Sequence, residues 1–198
     1  TGINGALVGA GGFFGPILPN LVMPVARLYM RKMVGHLVLD AESDALNKIL
    51  DKAAESGEQL NLNLLGEAVL GEEEAKSRAQ RTLKLIQNPR VTYVSVKASS
   101  MVAQLNHWDI DGSVERLKER LRPLYQAAAD RTDKVFINMD MEEYHDLHLT
   151  IRLFKELLSE PEFLTLDAGI VLQAYLPDTF DALKDVADFA KERVAKGC

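Results

Sequence analysis

Val91-Thr92-Tyr93-Val94-Ser95-Val96-Lys97 is rich in β-branched residues and alternates in character, which predicts a β-strand. Both of its neighbours read as helices. Upstream, Glu72 to Ile86 opens with acids, carries Arg and Lys later and meets Asn88-Pro89; this order suits the helix dipole and then stops the helix. Downstream, Ser113 to Ala129 sets Val114, Leu117, Leu121 and Leu124 on one face. The alternation of strand and helix recurs in both directions. Leu60-Asn61-Leu62-Asn63-Leu64-Leu65 reads as a preceding strand that ends at Gly66-Glu67, and a helix over 42–55 closed by Gly57 comes before it. Val135-Phe136-Ile137-Asn138-Met139-Asp140 and Gly169-Ile170-Val171-Leu172-Gln173-Ala174 are the following strands, with helices over 147–158 and from Asp178 onward.

Strands thus begin near residues 60, 91, 134 and 169, each separated from the next by one helix and short loops. Parallel strands need crossovers of this size, so the fold class is α/β. An open doubly wound sheet and a (β/α)8 TIM-barrel type both satisfy the pattern. A closed barrel needs eight units in ~250 residues, and the count here favours the first four or so, preceded by a helical lead-in. The expected division is an uncharged lead-in with N-terminal helices over 1–57 and the first half of a barrel over 58–198.

Composition sets the broad class. The chain has 198 residues, 47% hydrophobic and 26% charged, with Gly 13, Pro 7 and one Cys, which is globular rather than disordered or disulfide-stapled. A net charge of −6 gives no electrostatic footprint for nucleic acid. The one cysteine, Cys198, cannot close an internal bridge, and a reducing, cytoplasmic setting is the default. Thr1 to Ala26 carries no charge, but Pro16, Pro19 and Pro24 with many glycines oppose a membrane span. No basic region precedes that stretch, which disfavours a secretory signal. Val8-Gly9-Ala10-Gly11-Gly12-Phe13-Phe14-Gly15 fails as a dinucleotide fingerprint, because Gly15 is one position late and Pro16 breaks the helix that should follow. Val25 to Leu39, with Arg27, Arg31 and Lys32, reads as an amphipathic helix. Since the chain begins at Thr1 and stops straight after a helical stretch, we expect it to be a segment of a longer polypeptide.

Each strand finishes in a residue that is costly to bury unpaired: Glu67, Lys97, Asp140 and Gln173. In parallel α/β folds the carboxyl ends of the strands form the ligand-binding rim, and an ion pair of Lys97 with Asp140 or Glu67 is the natural arrangement there. His145 and His148 flank Asp146 at i, i+3, a spacing that suggests metal ligands. They fall at a helix start, where polar side chains usually face water, so no metal is assigned. His107-Trp108-Asp109 lies in a loop without a paired nucleophile, and no G-x-S-x-G, C-x-x-C or P-loop occurs.

Four blocks in order carry a family likeness: 62–69 (LNLLGEAV), 94–97 (VSVK), 138–144 (NMDMEEY) and 170–175 (IVLQAY). They resemble the proline dehydrogenase domain of bifunctional proline utilization A flavoproteins, continuously from about Arg27 onward. The resemblance implies an FAD-containing (β/α)8 barrel that oxidises L-proline to Δ1-pyrroline-5-carboxylate, passing a hydride to flavin and electrons to a membrane quinone. It further implies that Lys97 holds the proline carboxylate and that Asp140 lies beside substrate and flavin. Gln173 would bond the isoalloxazine edge, Met141 and Val171 would line the flavin, and Glu67 would orient a substrate-binding arginine. The family's fifth strand would begin just past Cys198. A half barrel alone should have little turnover and should dimerise or meet its missing half. Two rivals stand beside this reading: a non-catalytic module that oligomerises or docks on a partner, and another (β/α)8 enzyme.

Overall fold

The computed structural model describes residues 12, 19–34, 44–64 and 69–197. It divides into two compact units, Thr1–Leu46 and Asn47–Cys198. In the first, helix α1 spans Pro19–Val34 and contains Pro24. It starts earlier than the amphipathic pattern suggests, since a proline at the first helical position costs little. The expected continuation to Leu39 lies outside the described residues. No described helix is long and apolar enough to cross a membrane.

In the second unit the chain alternates strand and helix as the spacing predicts. Helix α2 (Asp44–Glu55) ends in a Schellman turn: Glu58 N donates to Ala53 O, Gly57 N donates to Ala54 O, and Gly57 takes φ +74, which glycine adopts without strain. Then come β1 (Leu62–Asn63), α3 (Glu72–Gln87), β2 (Tyr93–Lys97), α4 (Ile110–Ala129), β3 (Phe136–Asp140), α5 (Leu147–Leu158), β4 (Ala168–Ile170) and α6 (Thr179–Ala195). Helix α4 begins three residues before the expected Ser113 because Asp109 caps it, its Oδ1 accepting from Gly112 N at 2.9 Å.

The four strands form one sheet in the order β1-β2-β3-β4, every pair parallel. A doubly wound sheet reverses its order at a switch point. A barrel wall does not, and this order therefore decides between the two architectures that sequence periodicity allows. Each of α3, α4 and α5 packs against the next helix along the chain. Val94, Val96, Ile137 and Met139 are buried on one face of the sheet, with α3 against β2 and α4 against β3. Strand period two then sends Ser95, Lys97, Asn138 and Asp140 to the opposite face.

Two arginines fasten the layers. Arg131 Nη1 donates to the carbonyls of Ile86, Asn88 and Val91 at 2.7–2.9 Å, gathering the end of α3 and the entry to β2. Arg193 does the same one layer on, donating to Leu158 O at the end of α5 and to Leu164 O and Leu166 O ahead of β4. Carbonyls orphaned at helix ends are satisfied in this way.

The outer strands are shorter than their patterns. β1 keeps two residues of the expected run Leu60–Leu65, of which Leu65 lies outside the described residues. β4 stops at Ile170, not Ala174. Its neighbour β3 ends at Asp140, so after Val171 N donates to Met139 O (2.9 Å) no ladder remains to extend. Val171 continues the strand, but Gln173 stands in the turn that follows, where Thr179 Oγ1 donates to its carbonyl at 2.8 Å.

Candidate functional site

The face away from the helices carries polar residues in register. Asn63, Ser95, Asn138 and Gly169 are cross-strand partners, and Lys97 faces Asp140 one step nearer the carboxyl rim. Their side chains form a connected network. Asn61 and Asn138 each donate an amide N–H to Ser95 Oγ, at 2.9 and 3.2 Å. Asn138 also donates to Asp140 Oδ1 at 2.6 Å, and Asn63 donates to Asp140 Oδ2 at 2.8 Å. Both oxygens of the carboxylate are thus held by neutral amides from β1 and β3.

Space on this face is filled by design of the side chains. A Cβ on Gly169 would meet Phe136 Cζ at 2.8 Å and Asn138 Oδ1 at 3.0 Å. Glycine at this position lets Phe136 and Asn138 occupy the room over β4, and Phe136 in turn packs edge-on against Tyr93, with ring centroids 5.0 Å apart. The floor beneath the polar network is therefore aromatic.

Lys97 does not pair with Asp140. Its ammonium is bound to the Glu142 carboxylate, and only 15% of its side chain is exposed against 44% for Glu142. The expected Lys97–Asp140 pair is corrected on this point: the two side chains share a register, but the loop after β3 brings Glu142 to the cation first. Glu67, the other expected partner, lies outside the described residues. Burial raises the Asp140 carboxyl above its ordinary pKa of 3.8; hydrogen bonds from Ser95 and Asn138 and the nearby Lys97 charge act in the opposite sense.

Gln173 reaches the same rim from the β4 turn. Its Nε2 donates to Glu142 O at 2.8 Å, and its Oε1 is buried with no partner among the described residues. Val171 is 40% exposed beside Asp140 on the open face. Met141 is not on that face. It is 6% exposed and packs with Leu147, Ile151 and Ala182 under α5 and α6. The structure thus gathers Lys97, Asp140, Gln173 and Val171 at one rim and sends Met141 behind it.

Sequence reasoning missed Glu142 and the amide layer of Asn61, Asn63 and Asn138. The layer had a signal, namely polar residues at i, i+2 on strands whose alternate positions are apolar. The i, i+3 pair His145 and His148 is not brought together. His148 lines an outer groove of about 740 Å³ with Arg152, Lys155 and Asp185, whereas His145 turns toward His107, with ring centroids 4.5 Å apart.

Consecutive parallel β/α units in sequential order, with polar side chains at the carboxyl rim, define a segment of a (β/α)8-type enzyme domain. The chain belongs to the proline dehydrogenase family, a family of oxidoreductases, whose sequence profile matches residues 45–196. The bifunctional proteins PutA of Klebsiella aerogenes and of Escherichia coli K12 are each 29% identical over 157 residues, which is 72% of this chain and 12% of theirs. The structure of proline utilization A from Corynebacterium freiburgense is 66% identical with a TM-score of 0.81, covering 87% of this chain and 18% of that one. Proline utilization A from Bdellovibrio bacteriovorus, inactivated by N-propargylglycine, is 33% identical with a TM-score of 0.66, over 74% of this chain and 17% of that one. The chain therefore spans about an eighth of the curated relatives it matches.

Proposed function

We propose that this chain forms the first four β/α units of a proline dehydrogenase, over 58–198, behind a lead-in over 1–57. The activity is FAD-dependent oxidation of L-proline to Δ1-pyrroline-5-carboxylate in a cytoplasmic enzyme that delivers electrons to a membrane quinone. One observation carries this reading: Lys97 and Asp140 stand side by side at the carboxyl ends of adjacent parallel strands, in a chain of this family.

The residues present fit a flavin. Gln173 Oε1 is a buried acceptor without a partner, which an N–H on the edge of an isoalloxazine ring would satisfy. Val171 offers an exposed apolar surface for a ring to lie against. FAD, when bound, supplies the hydride acceptor.

The roles of this chain's own residues follow from their surroundings. Lys97 is held by a partly exposed glutamate, so the proline carboxylate replaces Glu142 on an ammonium that is already positioned. Asp140, with both oxygens fixed by amides, presents a negative charge beside the amine end of the substrate. Its desolvation strengthens that attraction. Met141 anchors the loop after β3 from behind, and Glu67 orients a substrate-binding arginine supplied by a later part of the barrel. Exposed Tyr175, Phe180, Leu183 and Val194 on the β4–α6 side suit burial against further units or a second copy.

The test is dye reduction by the 198-residue chain with saturating FAD and L-proline, beside the longer protein under the same conditions. The reading expects turnover in the longer protein and little or none in the chain alone. Absence of proline-dependent reduction in the longer protein overturns it.

A further inference from the structure

A second cluster lies on the same side of the sheet, in the two loops next to the Lys97–Glu142 pair. His107 comes from the loop between β2 and α4; Glu143, His145 and Asp146 come from the segment between β3 and α5. His107 Nε2 is 2.6 Å from Asp146 Oδ1, and His145 Nε2 is 3.9 Å from that same oxygen. One ligand atom from each of His107, His145 and Asp146 lies within 4.8 Å of the others. Glu143 Oε2 stands 2.9 Å from His145 Nε2. Three donor atoms, two imidazole nitrogens and one carboxylate oxygen, therefore converge from two separate loops, and Glu143 holds one of the imidazoles from outside.

Helix geometry does not account for this arrangement. Asp146 is the residue before α5, where a carboxylate ordinarily accepts from a backbone N–H of the first turn. Here it makes no such bond, and its side chain is 8% exposed. The buried oxygen is spent on the imidazole of His107, with that of His145 close by. A His–Asp hydrogen bond would fix one ring, yet two rings are packed edge to face over the carboxylate.

We propose that His107, His145 and Asp146 bind a divalent transition-metal ion of the zinc class, with water in the remaining position. Around tetrahedral zinc, ligands at about 2.0–2.2 Å lie roughly 3.3 Å from one another, and the donor separations here bracket that value. Two imidazoles with a carboxylate select zinc, nickel or copper over magnesium and calcium, which prefer oxygen. The ion ties the β2–α4 loop to the β3–α5 segment and so braces the rim that carries Glu142. The metal-free state keeps the same loops together through the His107–Asp146 hydrogen bond, which makes the ion a reinforcement rather than a condition for folding.

The experiment is calorimetric titration of the metal-stripped 198-residue chain with Zn²⁺, repeated with Mg²⁺ and paired with thermal melts. The expected result is one saturable Zn²⁺ site that raises the melting temperature and is ignored by Mg²⁺. His145→Ala, at an exposed ring that leaves the His107–Asp146 bond intact, should weaken Zn²⁺ at least roughly tenfold, as should His107→Ala. His148→Ala, whose ring lines the outer groove instead, should bind as the parent chain does. Absence of a one-to-one site, or equal affinity in His145→Ala, overturns the proposal.

Discussion

Lys97 and Asp140 are register partners on β2 and β3, yet the ammonium of Lys97 is bound to Glu142 while two asparagine amides hold Asp140. The cation is kept by a partner that can be exchanged. The anion is kept by neutral donors that leave its charge uncompensated by a direct ion pair. A substrate carrying both a carboxylate and an ammonium group complements this division.

Asp140 should lower stability at neutral pH. Its folded pKa is raised above 3.8, first of all by burial, so the folded state holds the proton more tightly than the unfolded chain. Stability then falls as pH rises through the window from the unfolded value up to the folded one, and stays reduced above it. Asp140→Asn removes this dependence. Melting temperatures from pH 3 to pH 7 should show the variant gaining on the parent chain as pH rises; a constant difference would reject the linkage.

Arg193→Ala should cost about 2–4 kcal/mol, because it strips donors from several carbonyls around the end of α5 and the entry to β4. At roughly 2–4 °C per kcal/mol for a chain of this size, the loss is readable in a thermal melt. Arg193→Lys should recover little, since one ammonium cannot span the same set. Full recovery by lysine would mean that charge, not the fork of donors, matters.

Tyr125 is fully buried against Phe163, and its hydroxyl has no hydrogen-bond partner among the described residues. Burial pushes its ionisation well above the ordinary range. Removing an unsatisfied hydroxyl without changing shape is neutral to favourable, so Tyr125→Phe should stabilise by about 1 kcal/mol. Urea denaturation measures it; destabilisation would reveal a partner for the hydroxyl.

Gly169→Ala should destabilise by about 1–3 kcal/mol, through overpacking against Phe136 and Asn138. Asn138 also holds Asp140, so the same change should disturb proline turnover in the longer protein. A variant as stable as the parent chain would show that Phe136 can swing aside freely.

Helical order was the most legible part of the sequence. α5 has the bounds that its apolar spacing predicts, Leu147–Leu158, because residues such as Leu149, Leu153 and Leu157 are all buried on the side that faces the core. Strand order was not legible, since which strand lies beside which is a long-range fact that local periodicity does not contain. The rim was partly legible. Lys97, Asp140 and Gln173 do stand there, but Gln173 reaches it from a turn and Met141 packs behind it. Which anion takes Lys97 could not be read at all, because a long side chain chooses among partners by the path of a loop, and that path sets Glu142 rather than Asp140 against it. His107 and Asp146 are 39 residues apart in sequence, so their meeting also had no local signal.

The claim on which the rest depends is that Lys97 is the cation that receives the carboxylate of proline. Steady-state kinetics of the longer protein carrying Lys97→Ala, with flavin content checked by absorbance, tests it most directly. Loss of this charge-assisted contact, worth about 1.5–3 kcal/mol, should raise KM for proline roughly 10- to 150-fold with flavin retained. An unchanged KM in a flavin-loaded variant would contradict the account.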